Sequence, residues 1–183
     1  MIKGLDFSKN LTLNELGLSK EESNIYSASP DDDIRRILEA LDIKSDDAIL
    51  DFGAGKGAAM AIMIKFPFSF VGGVEISPLL CTIAEKNLVK LDLKNVGIFC
   101  SNASKFTDID QYTYFYLFHP FPGPVLSQVI QNITESHHRN PRKISLIYYN
   151  PAYRSIVDEC PLFKEKRKID SWYYETILYE SVN

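Results

Sequence analysis

Asp51-Phe52-Gly53-Ala54-Gly55-Lys56-Gly57 sets three glycines at alternate positions behind one carboxylate. Glycine at that spacing lets the chain turn sharply and lets a ligand lie against bare backbone. Asp51, at the entrance, repels an anionic group and attracts an ammonium or a sulfonium. Eighteen residues beyond Gly57 stands Glu75, whose two oxygens can accept hydrogen bonds from a pair of neighbouring hydroxyls. Asn102 offers an amide that can meet a heterocycle edge. In His119-Pro120-Phe121-Pro122 an imidazole able to take a proton near neutral pH adjoins a ring stiffened by two prolines.

These residues matter only if the elements bring them together. Ala48–Phe52, Phe70–Glu75, Val96–Cys100, 113–118 and 144–149 read as short apolar strands. The run 113–118 is apolar enough for both faces to be buried. Between them lie helical patterns: 57–65, rich in small residues; 77–90, capped by Ser77 and opened by Pro78; and one marked by Val125, Leu126, Val129, Ile130 and Ile133. A helix before the first strand is signalled by Ser29 as cap, Pro30 at the first position and Asp31-Asp32-Asp33 at the positive end of its dipole. A short helix from Pro151 to about Glu159 precedes a final antiparallel pair, 163–169 and 172–180, turning at Asp170-Ser171. Residues 1–28 read as a polar lead-in arm, and 29–183 as one domain. Strands alternating with helices imply right-handed β-α-β units and an open, mostly parallel sheet with helices on both faces. Ligands in such sheets bind beyond the carboxyl ends of the strands, where the glycine loop, Glu75, Asn102 and His119 all fall.

The chain has 183 residues, 45% hydrophobic and 24% charged, which suits one globular domain. A net charge of -4 argues against a protein built mainly to hold nucleic acid. Cys81, Cys100 and Cys160 are scattered, which points away from a disulfide framework or a zinc site and towards a cytoplasmic setting. The start resembles no secretory signal, and no apolar run is long enough for a bilayer. His137-His138-Arg139-Asn140-Pro141-Arg142-Lys143 is a basic cluster at the opposite sheet edge, read as a solvated turn.

Loop, strand and terminal acid together favour an adenosine-containing ligand. Gly53-x-Gly55-x-x-Ala58 fits the dinucleotide fingerprint in spelling, while Asp51 and Gly57 favour a ligand carrying a cationic amino acid. On Asp51–Gly57, Val74-Glu75-Ile76-Ser77, Cys100-Ser101-Asn102-Ala103 and Tyr148-Tyr149-Asn150-Pro151, the chain resembles class I S-adenosylmethionine-dependent methyltransferases, close to small bacterial members. The resemblance spans roughly 48–149. It implies a Rossmann-like seven-stranded sheet with an antiparallel strand near the C-terminus, and S-adenosylmethionine as methyl donor. It also implies donor contacts from Asp51, Phe52, Gly53, Ala54, Gly55, Gly57, Glu75, Ile76, Asn102, Ala103 and His119. Asn102 stands where the family usually has Asp, and His119 where amino-group methylases often have Asn or Asp. His119 is then an auxiliary base and Phe121 packs on the acceptor or closes the pocket.

Tyr26-Ser27 could fold over the donor as a lid. The methyl acceptor is not specified; a small molecule or protein side chain is favoured over structured RNA. Two other readings stay open: a nicotinamide-dependent oxidoreductase, and a non-catalytic subunit that keeps the donor pocket and works through a partner protein.

Overall fold

The computed structural model describes residues 5–7, 11–19, 30–119 and 121–182. Seven strands form one sheet: β1 (Ala48–Phe52), β2 (Phe70–Glu75), β3 (Val96–Cys100), β4 (Tyr114–Phe118), β5 (Ser145–Tyr149), β6 (Phe163–Ile169) and β7 (Thr176–Ser181). Their order is β3-β2-β1-β4-β5-β7-β6. β1 to β5 pair in parallel, and β7 lies antiparallel between β5 and β6. The strand order reverses between β1 and β4, which places the expected ligand crevice there.

The helices are α1 (Leu13–Leu16), α2 (Asp31–Glu39), α3 (Ala58–Met63), α4 (Pro78–Lys90), α5 (Gly123–Arg139) and α6 (Arg154–Asp158). On one face of the sheet, Ile34, Ile37 and Leu38 of α2 and Met60 of α3 pack on Ile49, Val71 and Ile147. On the other, Leu126, Val129 and Ile133 of α5 pack on Leu50, Phe115 and Leu146. Both faces are thus covered, which explains the continuous apolar spelling of the central strands.

The sequence reading matches the strands closely, and the departures have physical causes. The last strand starts at Thr176 rather than Trp172, because the Trp172 and Tyr173 amides bond the Asp33 carboxylate instead of a strand. Pro30 is the N-cap of α2, not its first residue; Ser29 and the Tyr26-Ser27 lid lie outside the described residues. Ser77 is the N-cap of α4, but its hydroxyl makes no cap hydrogen bond; its amide is committed to Glu75 instead. The helix expected from Pro151 starts at Arg154.

The basic cluster is not simply a solvated turn. His137, His138 and Arg139 complete the last turn of α5, where the Arg139 charge is favourable at the negative end of the helix dipole. Arg142 donates to the carbonyls of Tyr112 and Ile109 and to Ser136 Oγ, stapling the end of α5 to the turn before β4. The arm before α2 is also more than a lead-in. Leu11 and Leu16 pack on Leu80, Asp6 pairs with the buried Lys56 at 2.7 Å, and Asn87 exchanges two hydrogen bonds with the Asp6 backbone. The boundary expected at residue 28 falls outside the described residues. Among the described residues, no helix is long and apolar enough to cross a membrane.

Candidate functional site

The glycine loop leaves β1 and climbs into α3 through three left-handed residues: Gly53 (φ 84°), Gly55 (φ 55°) and Gly57 (φ 79°). Any side chain at these points would be strained, so the alternate-glycine spelling is a backbone requirement. Gly53 and Ala54 donate their amides to the Val74 carbonyl, binding the loop to the end of β2. Gly73, in register with Asp51, keeps the wall thin: a Cβ there would sit 2.5 Å from Met60 Sδ and 2.7 Å from the Ala54 Cβ.

Glu75 closes the crevice from the β2 side. One carboxylate oxygen accepts the Gly55 amide at 2.9 Å and the other the Ser77 amide at 2.8 Å. Each oxygen keeps lone-pair capacity for a further donor. The side chain is thus set in one orientation across the loop. Burial raises its pKa, against the lowering effect of these amides.

Asp51 is the residue whose environment asks for a ligand. It is 3% exposed, and among the described residues no donor bonds its carboxylate. Burial, and then the charge of Glu75, push its pKa up to about 8. A buried carboxylate costs several kcal/mol unless it is paired or protonated (order of magnitude). A cation brought into this crevice would relieve both acids at once.

The adenine-side residues are placed by β3 and the 3₁₀ turn after it (Ala103–Lys105). The Asn102 carbonyl accepts both the amide and the hydroxyl of Ser104, so it caps that turn. Only its amide NH₂ and backbone remain to meet a ligand. Ala103 is buried in the core, and Ile76 is half-buried beside Glu75. Phe52 is fully buried and stacks on Phe115. It therefore supports the loop from beneath and makes no contact by side chain in the crevice.

On the acceptor side, β4 ends at Phe118 and is followed by His119, which sits in the left-handed region (φ 37°). Its ring lies 5.6 Å from that of Tyr153, and burial lowers its pKa. Phe121, expected to pack on the acceptor or to close the pocket, is 5% exposed and packs in the core with Leu126 and Val157. The apolar ring is drawn inward by α5 and α6, so it backs the wall and presents no open face. Pro120 lies outside the described residues.

Two features escaped sequence reading. Lys56, inside the glycine loop, is fully buried and holds Asp6. Asp33 accepts hydrogen bonds from the Tyr149 hydroxyl (2.5 Å) and from the Trp172 (2.7 Å) and Tyr173 (3.1 Å) amides. Burial works against its charge, but these bonds hold its carboxyl below the usual range. Three consecutive aspartates at a helix start disguise the one that points inward; the Ile34-Ile37-Leu38 stripe beside it was the available signal.

Comparison with known proteins follows the same geometry. Residues 22–108 match the model of the family described as protein-L-isoaspartate(D-aspartate) O-methyltransferase. No curated protein matches the sequence. Among solved structures, an RNA methyltransferase from Salinibacter ruber in complex with S-adenosyl-L-homocysteine is similar over 85% of this chain and 94% of its own, at 16% identity and a TM-score of 0.63. A SAM-dependent methyltransferase from Aquifex aeolicus is similar over 82% and 90%, at 16% identity and 0.66. A SAM-dependent O-methyltransferase from Thermotoga maritima is similar over 87% and 68%, at 20% identity and 0.65. With its strand order, its glycine loop ahead of Glu75 and these likenesses, the chain has the fold of the class I S-adenosylmethionine-dependent methyltransferases.

Proposed function

We propose that the protein transfers a methyl group from S-adenosylmethionine to a small molecule or a protein side chain. The observation that carries this is Asp51: a carboxylate buried beside that of Glu75 at a glycine-lined bend, with no donor to it among the described residues. The methionine end of the donor brings the missing positive charge, and Glu75 accepts from the ribose hydroxyls. Ile76 and Asn102-Ala103 flank the adenine. The sulfonium supplies a good leaving group, so the chain's task is to align the acceptor in line and to exclude water. His119, neutral at neutral pH because of its burial, is at most an auxiliary base for the acceptor proton.

The acceptor class is supported by the ion pairing on that side. Arg36 is paired with Asp170 and Lys168 with Glu175, so these two cations are not left for a polyanion. The family match ends at residue 108, before β4, and carries no isoaspartate specificity into the acceptor loops. Three thiols without disulfides fit a reducing, cytoplasmic setting.

Calorimetric titration with S-adenosylhomocysteine and, in parallel, with reduced nicotinamide dinucleotide tests the donor. Binding of the first alone is the expected result. Binding of the dinucleotide alone would make the protein an oxidoreductase. Tight donor binding with no turnover on a broad acceptor panel, together with a tightly bound protein partner, would make it a non-catalytic subunit.

A further inference from the structure

The turn between β6 and β7 carries Trp172, Tyr173 and Tyr174, which are 61%, 64% and 43% exposed. Three large aromatic rings in succession at the surface are costly unless something covers them. The backbone beneath two of them is fixed, because Asp33 takes the Trp172 and Tyr173 amides. The rings are therefore presented on a rigid support, the arrangement that binds flat groups at low entropic cost.

The position of this turn gives it a purpose. Thr176 pairs with Tyr149, so the turn lies at the carboxyl end of β5, on the same sheet edge as the glycine loop. Tyr174 lies 5.6 Å from Phe118, the residue before His119, and 5.5 Å from Tyr149. Arg36 sits 4.9 Å from the centre of the Trp172 ring. Residues Lys168 to Thr176 line a shallow, open depression on the outside of the turn.

We propose that this aromatic turn is the acceptor platform: it stacks a planar aromatic or heteroaromatic ring of a small acceptor whose reactive group reaches towards His119. The proposal rests on the methyl-transfer reading for what happens to that ring, but the stacking itself does not need the donor. Asp33 is a positioning residue that acts through the turn.

Trp172 is the only tryptophan of the chain, so its emission reports on the platform directly. The full-length protein, with and without S-adenosylhomocysteine, is titrated with catechol, adenosine, the saturated cyclohexanediol and an oligouridylate. Catechol or adenosine should change the Trp172 emission saturably, and the saturated diol should not. Catechol and adenosine separate a phenolic from a nucleobase-like acceptor. Tyr174→Ala should weaken the response by about tenfold, with S-adenosylhomocysteine affinity unchanged and the variant still folded at the titration temperature. The proposal is overturned if neither ring alters the emission, if the diol acts equally, if Tyr174→Ala has no effect, or if only the oligouridylate responds. Failure of S-adenosylhomocysteine to bind, with the ring response intact, strikes the donor reading and leaves the platform standing.

Discussion

The donor side and the acceptor side of this sheet edge are built by different means. On the donor side the bonds are short in sequence: Glu75 reaches Ser77 two residues on and Gly55 twenty residues back, and Gly53 and Ala54 share the Val74 carbonyl. On the acceptor side the aromatic turn is held by Asp33 from 139 and 140 residues away. The family match divides the chain at nearly the same place, covering 22–108 and none of β4, β5 or the turn. A donor grip made of local bonds is self-contained and recurs across proteins as a unit. The acceptor wall, made of distant contacts, lies outside that match except for Asp33.

That contrast can be broken at either side, and the largest effect is expected at the donor wall. Gly73→Val places side-chain atoms where even a Cβ meets Met60 and Ala54, and should destabilise the fold by about 3 kcal/mol, read as a lowered melting temperature. Next, Glu75→Ala strands the Gly55 and Ser77 amides and removes the ribose acceptor. S-adenosylhomocysteine binding should weaken by about 2 kcal/mol by calorimetry; an unchanged dissociation constant would show the ribose lies elsewhere.

The acceptor side should give the reverse signature. Asp33→Ala leaves the buried Tyr149 hydroxyl and two turn amides without their acceptor, at a cost of about 1–2 kcal/mol in stability. Its effect on S-adenosylhomocysteine affinity should be negligible. A large loss of donor affinity would mean that the two sides are one cooperative unit. The smallest effect is expected from His119→Ala. A drop in kcat below about tenfold with loss of the low-pH limb is the signature of an auxiliary base; full activity with an unchanged pH profile would remove that role.

The same division explains what was legible in the sequence. The strands and the glycine loop could be read because their determinants are neighbours: apolar runs, glycines at left-handed positions, an acid closing a strand. Asp33 could not, since its partners are decided by how β6 and β7 return past α2. Arg142 looked like solvated charge for a similar reason; the carbonyls it bonds belong to Ile109 and Tyr112, some thirty residues earlier. Phe121 showed its type but not its direction, which α5 and α6 set.

The central claim is that Asp51 waits for a cation, and proton linkage tests it most directly. With its pKa near 8 in the folded protein and 3.8 unperturbed, Asp51 holds a proton in the folded state that the unfolded chain has released. The ligand-free protein should therefore lose stability as pH rises from about 4 to about 8. A cationic ligand ionises Asp51, so binding should expel a proton below about pH 8 and tighten with rising pH. S-adenosylhomocysteine titrated calorimetrically at neutral pH in two buffers of different ionisation heat should show that release. Asp51→Asn should abolish it, weaken binding and raise the melting temperature of the free protein. Binding with no linked proton, and equally tight to the Asn variant, would contradict the account.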